Sequence, residues 1–223
     1  MPPRDGSNTE AADLVAAALA LGVVLDEPAA ARLLVYLGLL QRWNATYNLT
    51  AVRDPRDMRV QHLYDCLAVI APLRRVLGDA GKVLDVGSGG GLPGVVIAIA
   101  CPAMEVTCVD TVGKKAAFIR QVSAELGLPN LRAEHARVEA LKLRGFDIVT
   151  SRAFASLADF VRLTRPLLAP SGVWMAMKGK RPNDEIDALP ADVDVFHVEQ
   201  LTVPGLAAER CLVWMWPKPA RES

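Results

Sequence analysis

Val83-Leu84-Asp85-Val86-Gly87-Ser88-Gly89-Gly90-Gly91-Leu92-Pro93-Gly94 is the stretch that decides the fold. Its first four residues are apolar but for one acid and read as a short buried strand. Glycines at 87, 89, 90, 91 and 94 then make a turn, and a second apolar run, Val95 to Ala100, reads as a buried helix. A strand, a glycine turn and a helix in that order bring backbone N–H groups at a helix N-terminus to face a ligand. Glycine suits the turn because it tolerates positive φ and lets a ligand approach the backbone. Pro93 fits the first helical turn, where its missing N–H costs nothing.

Gly89-x-Gly91-x-x-Gly94 matches the dinucleotide fingerprint, a weak signal on its own. Asp85 argues against it. A turn built for a pyrophosphate gains nothing from a preceding carboxylate, since like charges repel. A cofactor with cationic groups does gain, and S-adenosylmethionine carries an ammonium and a sulfonium. Asp85-x-Gly87-x-Gly89-x-Gly91 resembles the first motif of S-adenosylmethionine-dependent methyltransferases. The next strand, Glu105 to Asp110, ends in an acid that can accept both ribose hydroxyls. NAD enzymes place an acid there too, so Asp110 indicates a ribose-bearing cofactor without choosing between them. A glycine turn that merely packs is the remaining alternative.

With 223 residues, 52% of them hydrophobic, the chain suits one ordinary domain with a small extension and needs no disulfides. Four cysteines at 66, 101, 108 and 211 lack C-x-x-C spacing and read as buried free thiols in a reducing compartment. Histidines at 62, 135 and 197 are scattered, so no metal site is expected. The 25 basic and 25 acidic residues balance, which excludes indiscriminate nucleic-acid binding by the whole surface but allows a local basic patch. The apolar stretch Leu14 to Leu25 is too short to span a bilayer and has the wrong flank for a signal peptide. A soluble, cytoplasmic protein is expected.

Residues 1–9 are polar and expected to be disordered. Residues 10–21 read as a helix ending at Gly22. A second helix starts near Pro28 and presents Leu33, Leu34, Leu37 and Leu40 down to Trp43; Trp43 to Thr50 reads as a polar and aromatic loop. Asp54 caps a third helix with Pro55 at its first position, running to about Ile70 with a break near His62 or Asp65. From Lys82 onward strands near 82–86, 105–109, 131–134, 146–151, 172–178, 194–201 and 210–216 alternate with helices near 92–101, 113–127, 137–141, 156–168 and 183–188. The last two strands have no helix between them and read as an antiparallel hairpin. The expected fold is α/β and Rossmann-like, of the class I S-adenosylmethionine methyltransferase type. It has a mostly parallel seven-stranded sheet with an antiparallel final strand. Residues 1–76 form a helical N-terminal extension and 77–223 the methyltransferase domain.

A ligand of such a sheet lies outside the carboxyl ends of the strands. Those ends supply Asp85 with Gly87, Gly89 and Leu92, then Asp110 with Lys114 and Lys115, then Val138 and Glu139, then Arg152, and finally Lys178, Lys180 and Arg181. Glu139 suits an adenine edge and equally a helix start. Arg152 belongs between cofactor and substrate, or else pairs with Asp147 or Asp110. The lysines contact RNA or form a solvated helix face. Trp43, Tyr47 and Phe154 fit a core, and His62 and His197 a structural role. The loop after the fourth strand lacks the Asn/Asp-Pro-Pro-aromatic signature of exocyclic-amine methylation and the Pro-Cys nucleophile used on pyrimidine C5. It offers no paired acid and base. Such a site suits an acceptor with a free lone pair, and N7 of guanine is one.

Several stretches together resemble the ribosomal small-subunit methyltransferase G family (RsmG, also called GidB, glucose-inhibited division protein B). They are Trp43-Asn44-x-x-Tyr47-Asn48-Leu49-Thr50, Arg53-Asp54-Pro55, His62-Leu63-x-Asp65, the glycine loop ending in Leu92-Pro93-Gly94, Lys115 with Phe118, and Arg137-Val138-Glu139. Ser151-Arg152-Ala153-Phe154-Ala155, Lys178-Gly179 and Asp184-Glu185-Ile186 complete the set. The resemblance covers the chain from about residue 28 to the final hairpin. It implies methylation of N7 of guanine-527 in the 530 loop of 16S rRNA, with S-adenosylmethionine as donor and S-adenosylhomocysteine as product. It also implies cofactor contacts at Gly87, Leu92, Val138, Glu139 and Arg152. Cys66, Thr111 and Lys180 depart from the residues usual there. Arg53, Lys114, Lys115, Arg120, Lys178, Lys180 and Arg181 are the candidates for phosphate contact. The expected partner is 16S rRNA or the 30S subunit, met by a monomer, without DNA or membrane. Rival readings are a small-molecule methyltransferase with the N-terminal helices as a lid, a non-catalytic RNA- or cofactor-binding protein and, more distantly, an NAD dehydrogenase.

Overall fold

The computed structural model describes residues 5–152, 154 and 156–218. Seven strands form one sheet: β1 (Gly81–Val86), β2 (Met104–Asp110), β3 (Leu131–His135), β4 (Phe146–Ser151), β5 (Leu168–Lys178), β6 (Val193–Leu201) and β7 (Arg210–Pro217). Their order is β3-β2-β1-β4-β5-β7-β6. The first five pair in parallel, and β7 lies antiparallel between β5 and β6. This is the expected mixed sheet with its closing hairpin. The chain order reverses where β1 sits between β2 and β4, and the crevice there is the topological switch point at which open α/β sheets bind ligands.

Strand β1 shows why the sheet is buried on both faces. Val83 packs into the core on one side and Leu84 into the core on the other, both fully buried. Successive side chains of a strand point to opposite faces, so an unbroken apolar run needs a layer on each. One layer holds α7 (Gly113–Glu125), the fully buried α6 (Gly94–Ala100) and the N-terminal helices α1 (Asp5–Ala20) and α2 (Glu27–Tyr47). The other holds α8 (Leu157–Thr164). A 3₁₀ turn at Arg165–Leu167 follows it, since Pro166 brings no N–H to continue the helix.

The N-terminal region departs from the expected pattern in two places. Residues 5–9 belong to α1 instead of a disordered tail; residues 1–4 lie outside the described set. Trp43 to Tyr47 is helical, not a loop. Helix α2 runs through it because the Trp43 ring packs 5.4 Å from Phe118 and 5.0 Å from Tyr47. The helix stops at Asn48, whose left-handed backbone (φ 50°) returns its N–H to the Asn44 carbonyl. Asn44 then shapes the following turn, accepting from the Thr50 N–H at 2.8 Å and donating to the Val52 carbonyl at 3.3 Å.

The third helix is broken where expected. Its first turn, α3 (Pro55–Met58), is capped by Asp54, which accepts from the N–H groups of Arg56 and Asp57. A π-helical stretch, Arg59–Tyr64, follows, then α4 (Asp65–Leu67) and α5 (Ile70–Leu77). A π turn widens the helix and re-aims its side chains, a device frequent at functional sites. Between Arg137 and Leu141 the expected helix is a single 3₁₀ turn, Val138–Ala140. The short α9 (Asn183–Asp187) completes the helices. No helix of the described residues is long and apolar enough to cross a membrane.

Candidate active site

The glycine loop is shaped by buried polar anchors on three sides. The Asp85 carboxylate, fully buried beneath it, accepts from the Gly94 N–H at 2.9 Å and so holds the start of α6. Asp110 holds the other arm: one oxygen accepts from the Gly89 N–H and the other from the Val112 N–H, each at 2.9 Å. From α2, the buried Tyr36 hydroxyl donates to the Gly90 carbonyl at 2.7 Å.

Gly87 (φ +68°) and Gly89 (φ +58°) take left-handed backbone that L side chains rarely adopt, and a Cβ on either would meet only open space. These two positions form a cradle of bare backbone. Gly94 is a packing position: a Cβ there would lie 2.4 Å from Cys108 Sγ and 2.9 Å from Asp85 Oδ2. Gly94→Ala is therefore expected to cost about 1–3 kcal/mol through overpacking, read as a lower denaturant midpoint at unchanged slope.

Three clefts open in a row over the carboxyl ends of the strands. The first, about 350 Å³, lies between Gly87, Asp110, Val112 and the Ala136–Glu139 turn, with Phe154 opposite. The second, about 200 Å³, is framed by the glycine loop, Leu92, and Leu40, Leu49 and Thr50 of the N-terminal region. The third, about 400 Å³, is bounded by Thr50, Gln61, His62, Asp65, Met177 and Arg210, with Lys178 and Gly179 at one end. Gly87 and Lys115 line both the first and the second. Thr50 and Arg152 line both the second and the third.

The expected site residues fall unevenly among these clefts. Gly87, Gly89, Leu92, Asp110, Val138, Glu139 and Arg152 all line the first or second. Asp85 lies below the loop and lines none of the three, acting on the site through Gly94. Arg152 pairs with neither Asp147 nor Asp110. Its Nη1 reaches Asp65 at 3.4 Å and donates to the Gln61 carbonyl at 3.0 Å, while Asp147 accepts from the Lys82 N–H.

Among the cations expected to meet RNA, Lys115 faces the first two clefts, with its ammonium 3.7 Å from Asp110 Oδ2. Lys178 is held by Glu185 at 2.8 and 3.0 Å. Arg53, Lys114, Arg120, Lys180 and Arg181 are exposed; Arg120 donates to the Ala133 carbonyl and Arg181 to Asn183. Ala153 and Ala155 of the strand-four loop lie outside the described residues.

The strand-end reading missed the far wall of the third cleft. Asp65 is 1% exposed and clasped between two arginines, Arg152 and Arg210, the latter donating from Nε at 3.0 Å. Thr50 Oγ1 lies 3.0 Å from His62 Nε2. Burial, reinforced by the charge of Arg152, pushes the His62 imidazole down to about 4, so it is neutral at pH 7. Thr50, His62 and Asp65 do occur in the stretches that carry the family resemblance. Arg210 had no local signal. Among the described residues, no group of His, Cys, Asp or Glu side chains could hold a metal ion.

Comparison with known proteins agrees with this architecture. The family model described as rRNA small subunit methyltransferase G (GidB) matches residues 29–213. The ribosomal RNA small subunit methyltransferase G of Leptothrix cholodnii is 66% identical over 211 residues, covering 94% of this chain and 97% of that protein. The protein of the same name from an Acidovorax species is 60% identical, covering 89% and 91%. The crystal structure of a SAM-dependent methyltransferase from Aquifex aeolicus superposes with a TM-score of 0.55 at 15% identity, covering 75% of this chain and 96% of that one, which supports the fold. The chain belongs to the rRNA small subunit methyltransferase G family.

Proposed function

We propose that this protein transfers a methyl group from S-adenosylmethionine to N7 of a guanine in the 530 loop of 16S rRNA. The observation that carries the choice of acceptor is the state of the ionisable groups around the third cleft. Asp65 is engaged by two guanidiniums, Lys178 by Glu185, and His62 is a poor proton acceptor with its ring nitrogen on Thr50. None of these groups is poised to take a proton, and a purine N7 lone pair has no proton to lose. Attack by an exocyclic amine or a hydroxyl would need a base.

The donor set fits the cofactor. Bare backbone at Gly87 and Gly89 leaves room for a ligand, and Asp110 keeps free lone pairs for ribose hydroxyls after its two loop contacts. Val138 and Glu139 suit the adenine edge, and Leu40, Leu49 and Leu92 give an apolar wall by the glycine loop. When bound, the cofactor supplies an electrophilic methyl on a sulfonium. The chain's own residues then orient and exclude: Thr50 and Arg152, shared by the second and third clefts, border the passage between donor and acceptor. A base can reach this passage only by leaving its stack, which is cheapest in a single-stranded loop.

Within this reading the exposed cations Arg53, Lys114, Arg120, Lys180 and Arg181 meet phosphates. The protein works as a cytoplasmic monomer on 16S rRNA, free or in the 30S subunit. The test is methyl transfer from radiolabelled S-adenosylmethionine to 30S subunits lacking the modification, followed by mapping of the label. The expected product is 7-methylguanine in the 530 loop. Label on another base, or turnover of a metabolite without rRNA label, would overturn the assignment.

A further inference from the structure

The two purines present N7 with different neighbours. In guanine it is flanked by the O6 acceptor, in adenine by the N6 amino donor. A cleft that brings N7 to a methyl group must therefore face one or the other.

The third cleft faces its ligand with donors. Asp65 gives one oxygen to Arg210 Nε at 3.0 Å and the other to Arg152 Nη1 at 3.4 Å. Each guanidinium has a backbone anchor as well: Arg152 Nη1 donates to the Gln61 carbonyl at 3.0 Å, and Arg210 Nη1 to the Glu209 carbonyl at 2.8 Å. The second terminal nitrogen, Nη2, of each has no partner among the described residues, and the two side chains keep 30% and 25% of their surface exposed. Two of the acceptors nearby are occupied. Thr50 Oγ1 accepts from the Val52 N–H at 3.2 Å and touches His62 Nε2, and Glu185 is taken by Lys178 and the Leu157 N–H. The Gln61 side-chain amide offers both a donor and an acceptor and does not discriminate by itself.

We propose that Arg210, with Arg152, donates to O6 of the acceptor purine and so selects guanine over adenine. This rests on the methyltransferase reading above. A guanidinium free to use its whole fork usually spans O6 and N7 together, which would block the nucleophile. On Arg210 the two anchors engage Nε and Nη1 and leave Nη2 alone uncommitted, enough for O6 while N7 keeps its lone pair. An adenine in the same place would set its amino donor against a guanidinium donor. Arg210 lines the third cleft but neither cleft at the glycine loop, so it acts on the acceptor.

The experiment compares two acceptors. 16S rRNA is assembled by ligation with guanine or 2-aminopurine at the position mapped for the wild-type enzyme, then reconstituted into 30S subunits. 2-Aminopurine keeps N7 and lacks O6. The wild-type protein is expected to prefer guanine by about 10- to 100-fold in kcat/KM, the size of one charge-assisted hydrogen bond. Arg210→Gln is expected to lose that preference by slowing guanine alone, while Arg210→Lys keeps part of it. S-adenosylhomocysteine affinity, the check on folding, should change less than about twofold, the precision at which a calorimetric titration reads no effect.

A variant that slows both acceptors equally, or keeps the full preference, overturns the inference. Should Arg210→Gln fail to fold, the wild-type protein still decides. Equal rates on guanine and 2-aminopurine would show that O6 is not read, and a preference that survives with inosine, which retains O6, supports the assignment. If the wild type labels no guanine at all, the methyltransferase reading falls and takes this inference with it.

Discussion

Asp110→Ala is expected to weaken S-adenosylhomocysteine binding by about 100-fold or more, the largest cofactor effect of any single side chain in the site. The carboxylate holds the glycine loop through the Gly89 N–H and the following turn through the Val112 N–H. Hydrogen bonds to a charged group contribute about 1.5–3 kcal/mol each, and the ribose contacts proposed for the same oxygens add to them. The substitution also leaves the Lys115 ammonium, 3.7 Å away, without its counter-charge at the cleft wall. Asp110→Asn should be milder, about 10-fold, because one oxygen still accepts while the amide nitrogen faces an N–H. Calorimetric titration of full-length protein checks both. A change within about threefold for Asp110→Ala, well under one such bond, would mean that the ribose binds elsewhere.

The second large effect concerns stability as a function of pH. Burial raises the Asp85 carboxyl from 3.8 to about 7, against the opposing pull of the Gly94 N–H and the Arg152 charge. A carboxyl whose folded pKa lies above its unfolded one binds its proton more tightly in the folded state. Stability is then lost as pH rises from about 4 to about 7, by roughly 4 kcal/mol from this group alone. Asp85→Asn removes the ionisation and keeps an oxygen for the Gly94 N–H. The variant is expected to unfold at a higher denaturant concentration than wild type at pH 8, with the difference shrinking towards pH 5. Wild-type instability at high pH is the cost of keeping a carboxylate under the glycine loop, and a bound cationic cofactor would offset it. S-adenosylmethionine affinity should accordingly rise with pH through about 7 in the wild type and stay flat in Asp85→Asn. Equal stability of the two proteins at pH 8 would show that Asp85 is neutral or well solvated there.

Local pattern carried a long way in this chain. The glycine loop, the period-two and unbroken apolar strands, and the turn residues between them are short-range signals. They located all seven strands and the switch point beside β1. The placement of Asp110, Val138 and Arg152 over the first two clefts followed, since they sit at or just beyond strand ends whose positions the alternation dictates. Where local pattern misled, tertiary packing had overruled it. The polar stretch after Trp43 is helical because Trp43 meets Phe118, seventy-odd residues away, and the Asp54 helix widens at Arg59–Tyr64 where it enters the site.

What the sequence by itself determined was the strand–glycine turn–helix unit, the sheet built on it and the edge where a ligand must lie. Only the tertiary structure decided the far wall of the third cleft. It brought Asp65 of the N-terminal helices, Arg152 of the fourth strand end and Arg210 of the last strand together around one buried carboxylate. The physical reason is separation: Asp65 and Arg210 lie 145 residues apart. No periodicity or spacing encodes such a pair, because it exists only once the closing hairpin has paired with β5 and carried Arg210 to the start of α4.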